Sequence, residues 1–376
     1  MMKTMILAAA GLIAVIGTTT AVVTKQESVQ ADTNLPHVVQ IGEMSADRAA
    51  HQATLLGSGE VLITGGCSGG CDTNLRSTEL YEPGTQGFRS AAAMATARGS
   101  HVAIPLIDGR VLVAGGWSER RVTRSAEIYD PGSNRFAAAG SMAVERAAPT
   151  ATRLADGRVL ITGGQTSEFE PLASSELFDP SSSSFSSTAS MSVPRVGHVA
   201  VSLADGRVLI IGGRLARRGE ILRTAEIFEP STSQFQPTGD MSSPRHKHAA
   251  ALLPDGRVLV LGGSDARDQR GRYRSTEIYD PKTGKFTDGP DMRWPRFKLS
   301  DAVAVLPSGA VLVAGGAAQL ELYDPGSQTF VLVQGELSGP REFATASLLP
   351  SGELLVLGGY DEQIRTSASA WLVRMP

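Results

Sequence analysis

A basic side chain recurs at one fixed place along this chain, in a pattern that could bind anions. Each lies eleven residues before the glycine of a turn that occurs seven times, as in the stretch DGRVLIIGG of Asp205–Gly213. The sixth repeat carries two extra residues, so Arg296 competes with Lys298 for its place. Side chains that meet around one axis would form a ring of cations. The seven residues of this ring are Arg48, Arg98, Arg146, Arg195, Arg245, Lys298 and Arg341.

Most of these cations have a carboxylate at an equally regular position, which favours a structural role for them. Six glutamates stand two residues before an aromatic residue: Glu79, Glu127, Glu176, Glu226, Glu277 and Glu321. We expect each basic residue to pair with the glutamate of its own repeat, because buried charges in proteins are normally paired. The seventh repeat has Ser369 in that place, so we expect Arg341 to be free. A ring that binds anions is the alternative.

Three loops that follow the glycine pair are strongly basic, although the net charge of the chain is −3. Trp117–Arg124, Arg214–Arg223 and Ser264–Arg274 carry eleven arginines against two glutamates and two aspartates. We predict that these arginines face solvent and bind the carboxylates or sulfates of an anionic glycan or acidic protein segment, with aromatic residues stacking on it. A merely solvated surface is the alternative. The candidate binding residues are Trp117, Arg120, Arg121, Arg124, Arg214, Arg217, Arg218, Arg270, Arg272, Tyr273, Trp294 and Arg341.

Histidine and cysteine offer less chemistry. Four histidines occupy one repeat position, but zinc ligands must come within about 2 Å of the ion. The walls of a channel surrounded by seven repeats are too far apart to bring these histidines to one ion. These residues are His51, His101, His198 and His248, and we expect them to be structural. We predict no metal site and no cofactor. Cys67 and Cys71 form the segment CSGGC, which predicts a local disulfide in an oxidising compartment.

Residues 1–31 are typical of an export signal and not of a folded domain. Lys3 precedes an apolar run, and Val29-Gln30-Ala31 has the small residues of a cleavage site. Cleavage after Ala21, or retention as an uncleaved membrane anchor, is the alternative. We expect a secreted, periplasmic or cell-surface protein whose residues 32–376 form one domain and a monomer. Without a basic stripe, nucleic acid is not an expected partner, and no membrane contact is expected beyond such an anchor.

Each repeat predicts four short strands, named a to d, that position these residues. Strand a is built from small residues, as in His198–Leu203, which favours a propeller because its innermost strands converge on one axis. Strand b is apolar on both faces, as expected where both sides of a sheet are covered. The last repeat lacks strand d, and His37–Met44 has only strand d. We predict an all-β, seven-bladed propeller, closed by pairing of the two termini.

The repeat resembles the kelch repeat. Its marks are a glycine pair after an apolar run, the sequence EIYDP, an aromatic residue in strand d, and Pro-Arg before the next repeat. The resemblance covers Pro36–Pro376 and implies a kelch β-propeller, with Phe where the family usually has Trp in strand d. Galactose oxidase and the bacterial sialate mutarotases have such propellers, so the resemblance implies a fold and no single chemistry.

The copper site of galactose oxidase is not expected in this chain. That site needs two tyrosines, two histidines and a cysteine crosslinked to one tyrosine, but only Tyr273 and Tyr360 lie outside the repeat positions. Both cysteines belong to one loop. We therefore favour a binding module over an enzyme. A sugar mutarotase or epimerase, and a structural surface protein, are the alternatives.

Overall fold

The structure, a computed structural model, describes residues 35–215, 219–299 and 301–376. The predicted export signal lies outside these residues. Seven four-stranded antiparallel sheets form the blades of a propeller. The innermost strands of successive blades are neighbours, and that of the seventh blade returns to that of the first. The predicted seven-bladed architecture is confirmed.

The four strands of each blade follow the order expected from the repeat. Strands a are Gln52–Leu55, Val102–Pro105, Thr150–Arg153, Val199–Ser202, Ala249–Leu252, Val303–Val305 and Thr345–Leu348. Strands b are Val61–Thr64, Val111–Ala114, Val159–Thr162, Val208–Ile211, Val258–Leu261, Val311–Val313 and Leu354–Leu357. Strands c are Thr78–Glu82, Ser125–Asp130, Ser175–Asp179, Ala225–Glu229, Thr276–Asp280, Glu321–Asp324 and Ser367–Arg374. Strands d are Gly87–Ser90, Arg135–Ser141, Ser184–Ser187, Gln234–Pro237, Lys285–Asp288, Thr329–Leu332 and, for the seventh blade, His37–Arg48.

The seventh blade is built from both ends of the described chain. Its strand d, His37–Arg48, pairs antiparallel with strand c, Ser367–Arg374. In this register Val38 lies opposite Val373, and Gln40 lies opposite Trp371. The pairing leaves no open edge between the first and last repeats. The predicted closure by the N-terminal strand is confirmed.

The apolar core lies between the blades. Every residue of Val61–Thr64 and of the other strands b is buried, so these strands contact a neighbour on both faces. In one such layer, Leu62 and Met94 of the first blade pack against Val113 and Tyr129 of the second. Each blade therefore contributes to two cores, and the array is stabilised as a closed whole.

The glycine pair after strand b allows successive blades to approach closely. Gly65 and Gly66 have positive φ angles of 55° and 97°. A Cβ atom at Gly65 would lie 2.3 Å from the carbonyl oxygen of Arg98 in the next blade. A Cβ atom at Gly66 would lie 2.8 Å from the carbonyl oxygen of Ala49. Both conformation and space therefore require glycine, which explains the repetition of the pair.

The b–c loops carry the remaining regular structure. Cys67–Ser68 pairs with Thr73–Asn74, and Trp117–Ser118 pairs with Arg121–Val122. A short 3₁₀ helix spans Asp268–Gly271 in the fifth blade. Cys67 and Cys71 form a disulfide, as predicted, which indicates an oxidising compartment. Among the described residues there is no helix of the length and hydrophobicity that a bilayer crossing requires.

Candidate functional site

The structure places the repeated arginines inside the blades. Arg195 Nη2 lies 2.8 Å from Glu226 Oε1, and its Nη1 donates to the carbonyl oxygens of Gly212 and Thr224. The second carboxylate oxygen of Glu226 accepts the backbone N–H of Ser192. The same pairing recurs in six blades, through Arg48–Glu79, Arg98–Glu127, Arg146–Glu176, Arg195–Glu226, Arg245–Glu277 and Arg296–Glu321. These guanidinium groups are therefore paired inside the blades.

The prediction of Lys298 as the sixth member of this set is wrong. Arg296 is fully buried and pairs with Glu321 at 2.9 Å. The two extra residues of the sixth repeat lie between Arg296 and strand a, not before the arginine. Lys298 therefore stands two residues after the paired arginine and lies at the mouth of the central channel.

Arg341 has no glutamate, because Ser369 stands in its place, but this arginine is not free. Its Nη2 donates to Ser338 Oγ at 2.8 Å, and its guanidinium lies 5.7 Å from the ring of Trp371. Only 8% of Arg341 is exposed. Ser338 thus replaces the missing carboxylate as a partner of Arg341.

A belt of residues in the left-handed conformation surrounds the mouth of the channel. Each belt residue lies two positions after a repeated arginine: Ala50, Ser100, Ala148, Gly197, Lys247, Lys298 and Phe343. Six backbone hydrogen bonds join neighbours in this belt, such as Lys298 N–H to the carbonyl oxygen of Lys247 at 3.0 Å. The first four belt residues are small and the last three are large. The mouth is therefore asymmetric, with both lysines on one side.

A cavity of about 480 Å³ opens within the belt. Strands a of the second to fourth blades form much of its wall, together with Trp117 and Gln165. Two cationic residues, Lys247 and Arg214, also line it. Asp301 and Gln52 contribute polar groups on another side. Cavities of this volume hold small organic ligands.

Neither cation of the cavity wall has a carboxylate partner among the described residues. Buried Nε of Arg214 has no hydrogen-bond acceptor there. Burial lowers the pKa of Lys247 to about 8, and the nearby positive charges of Lys298 and Arg214 contribute to this effect. Lys298 differs, because its Nζ lies 2.7 Å from Glu342 Oε2. Lys247 and Arg214 thus offer unused positive charge to the cavity.

Asp301 is the acidic residue of the cavity wall. Its side chain is exposed to solvent within the channel, and desolvation by the surrounding protein raises the pKa of its carboxyl to about 6. Gln52 Nε2 donates to its Oδ2 at 3.3 Å. Asp301 can therefore act as a hydrogen-bond acceptor or, when protonated, as a donor.

Only part of the basic loop surface has the environment that was predicted. Four arginines are exposed without an acidic partner among the described residues: Arg120, Arg121, Arg124 and Arg270. Arg217 and Arg218 lie outside the described residues. Arg272 was expected to face solvent freely but pairs with Glu362 of the seventh blade at 3.1 Å. The short loop of the sixth blade permits this contact, because the loop of the fifth blade reaches across it. Arg214 is half-buried in the cavity wall instead of solvated.

The three predicted aromatic residues lie in different surroundings. Trp117 lines the cavity, and its ring centroid lies 5.1 Å from that of Phe169. Tyr273 packs under the guanidinium of Arg245 at 4.9 Å. Trp294 lies against Arg293 at 5.4 Å. The structure therefore brings only Trp117 together with the cavity cations.

Three of the four repeated histidines, His51, His101 and His198, contact threonines of the preceding blade, whereas neither ring nitrogen of His248 has a hydrogen-bond partner among the described residues. His101 Nε2 lies 2.9 Å from Thr64 Oγ1 of the preceding blade, and His51 Nε2 lies 3.0 Å from Thr345 Oγ1. No cluster of three or more His, Cys, Asp or Glu side chains suited to a metal ion occurs in the described part of the chain.

Comparison with known proteins identifies the repeat. The sequence matches the Kelch motif over residues 98–143 and 245–293, which contain the second and fifth blades. This chain is a kelch-repeat β-propeller. A fungal alcohol oxidase of the AA5 family, in complex with copper, has a similar structure, with a TM-score of 0.70 and 15% sequence identity. The similarity covers 90% of this chain and 76% of the oxidase, and at this identity it concerns the fold alone. No curated protein matches the sequence.

Sequence reasoning missed Lys247 as a residue of the kelch propeller's cavity. Its position, two residues after the repeated arginine, holds Ala50, Ser100 and Gly197 in other blades. The change from small residues in the first four blades to Lys247, Lys298 and Phe343 in the last three is a signal of an added role at that position. Asp301 gave a similar signal, because it replaces a histidine in the repeat.

Proposed function

We propose that this kelch propeller is an exported, monomeric binding module for an anionic ligand, which docks at the cavity mouth on the b–c loop face. The observation that carries the proposal is the pair Lys247 and Arg214, two cations on the wall of a 480 Å³ cavity that have no carboxylate partner among the described residues. A buried charge without a partner is costly. A ligand carboxylate or sulfate would remove this cost and form charge-assisted hydrogen bonds with both groups.

An anionic glycan is the ligand class that the cavity supports best. Trp117 offers an aromatic face beside the cations, and Gln52, Gln165 and Asp301 offer polar groups for hydroxyls. Sugars carry both an apolar ring face and a dense set of hydroxyl groups, so this mixture suits them. Exposed Arg120 and Arg121 stand on a neighbouring loop and would attract an acidic chain from solution. An acidic peptide is the alternative ligand.

A binding screen of the mature protein tests this proposal. The probes are uronate- and sulfate-bearing oligosaccharides, their neutral counterparts, and an oligoglutamate peptide. We expect saturable binding of an acidic oligosaccharide, weaker binding with added salt, and none of the neutral counterpart. Preferential binding of oligoglutamate would replace the glycan by the peptide. Equal binding of charged and neutral sugars would contradict the role of the two cations.

A sugar-converting enzyme is the second candidate, because Asp301 shares the cavity with Lys247 and has a pKa near 6. A carboxyl group in this range can exchange protons near neutral pH. Proton-exchange NMR with any sugar that binds tests the candidate. Anomer exchange that is accelerated by the protein, and lost in Asp301→Asn, would establish catalysis. Unchanged exchange would leave binding as the function.

A further inference from the structure

Lys247 and Lys298 occupy equivalent positions on neighbouring blades but have different partners. Both are belt residues with positive φ, and they are joined by a backbone hydrogen bond. Lys298 Nζ forms an ion pair with Glu342. Lys247 Nζ has no such pair among the described residues. The fold therefore contains a paired lysine and an unpaired one in the same backbone setting.

The surroundings of Lys247 enlarge the neutral fraction of its amine, although most of it stays protonated at pH 7. Its Nζ lies 5.3 Å from the ring of Phe297 and 5.9 Å from that of Phe343. The charged groups that face it are Lys298 and Arg214, which lower its pKa, and the carboxylates of Asp268 and Glu342, which raise it. Burial, followed by the charge of Lys298, lowers the pKa of Lys247 from 10.5 to about 8. A neutral amine carries the lone pair that a nucleophile needs.

We propose that Lys247 is a nucleophilic amine that captures an anionic aldehyde or ketone as an imine at the cavity mouth. The inference rests on the proposed function, because Arg214 would hold the anionic group of the same ligand. The lysine nitrogen attacks the carbonyl carbon, so a C–N bond forms, the carbonyl π bond breaks, and one amine hydrogen passes as a proton to the carbonyl oxygen. The carbinolamine then loses water, which carries away the carbonyl oxygen and both amine hydrogens. No oxidant or reductant is consumed, and hydrolysis of the imine returns the free amine.

The other lysines of the described chain provide internal controls. Lys298 is held by Glu342, so its lone pair is occupied by a proton. Lys282 and Lys285 are exposed near the c–d turn of the fifth blade, outside the cavity. Lys282 and Lys285 therefore react only as surface amines. Selective capture at Lys247 would therefore reflect the cavity.

Pyridoxal 5′-phosphate is a suitable probe, because it combines an aldehyde with an anionic group. The full-length mature protein is incubated with limiting probe at pH 7, reduced with borohydride, and mapped by peptide mass spectrometry. At this pH a lysine with a pKa of 8 has a free-amine fraction roughly 300-fold larger than an ordinary lysine. We expect Lys247 to be labelled at least about tenfold faster than Lys282. Equal or faster labelling of Lys282 or Lys298 would overturn the inference.

Two variants and a second probe separate this inference from the proposed function. Lys247→Arg should abolish the main label while retaining the charge, and Lys298→Arg should leave labelling of Lys247 intact. Neutral pyridoxal should label Lys247 more slowly than the phosphate, because it lacks the anionic group. Binding of a carbonyl-free acidic oligosaccharide is measured in parallel. If that binding persists while wild-type Lys247 forms no imine, the inference fails and the proposed function stands.

Discussion

The ammonium group of Lys298 lies 2.7 Å from the carboxylate of Glu342 at the mouth of the channel. Glu342 is fully buried and also accepts a hydrogen bond from Gln269 Nε2 at 2.6 Å. This arrangement neutralises one of the two belt lysines and leaves the other to the cavity. Under the proposed function, the two neighbouring blades divide a structural role and a binding role between identical side chains.

Removal of that carboxylate should strengthen the cavity's attraction for anions. We expect Glu342→Gln to increase the affinity for an acidic oligosaccharide by roughly two- to tenfold, because Lys298 gains an unpaired charge. The measurement is isothermal titration at low and physiological salt. Glu229→Gln, at the far end of strand c in the fourth blade, is the matched control. An affinity that falls in Glu342→Gln would show that the two lysines do not act on the ligand.

Loss of one internal arginine should destabilise the propeller. In Arg195→Ser, the buried carboxylate of Glu226 keeps its backbone donor but loses its ionic partner. We expect a loss of about 3–5 kcal/mol in the free energy of unfolding, measured by chemical denaturation. Arg341→Ser is the control, because Ser338 is the only hydrogen-bond partner of Arg341 among the described residues and its loss should cost less. Equal losses in the two variants would contradict the structural role of the ion pairs.

The stability of the propeller should fall in mild acid. Burial lowers the pKa of His51, His101 and His198 to about 3, below the ordinary 6.5 of an unfolded chain. Below pH 6.5 the unfolded chain therefore binds more protons, and stability is lost as the pH falls toward 3. Asp301, whose pKa is raised from 3.8 to about 6, acts in the opposite sense, and its contribution is lost as the pH rises through 6.

Thermal unfolding between pH 7 and pH 4 tests this balance. Each buried histidine contributes at most about 1.4 kcal/mol per pH unit, and three of them outweigh one aspartate. We expect Tm to decrease across this range. His101→Gln cannot titrate, so the decrease should be shallower in this variant even if its Tm at pH 7 is lower. A pH profile that is parallel to the wild type would contradict the assignment.

Closure by the N-terminal strand should be essential for the whole array. Deletion of residues 35–44 would expose the edge of Ser367–Arg374 and uncover Trp371, which is 1% exposed in the intact fold. We expect Tm to fall by more than about 10 °C or folding to fail, because each blade shares its core with two others. An unchanged Tm would mean that strand d of the seventh blade does not support the rest of the propeller.

The fold was more predictable than the cavity, for a physical reason. The turn glycine, the glycine pair and the glutamate recur in register because every blade packs against its two neighbours in the same way. Lys298 was assigned to the position that Arg296, the partner of Glu321, fills in the structure. The sequence could not decide between them, because the two-residue insertion could lie on either side of the arginine. Lys247 was missed because its importance depends on what lies across the axis, and Arg272 was misjudged because Glu362 comes from a distant repeat. Such relations depend on the closed ring and not on local sequence.

The most direct test compares cavity cations with surface cations. The affinity of an acidic oligosaccharide found in the screen is measured by isothermal titration for two double variants, Lys247→Gln/Arg214→Gln and Arg120→Gln/Arg121→Gln. Both remove two positive charges, so a nonspecific electrostatic attraction would weaken equally in each. We predict at least about a hundredfold loss for the cavity variant and less than about tenfold for the surface variant, with both folded. Full affinity in the cavity variant, with loss in the surface variant, would contradict the cavity as the binding site.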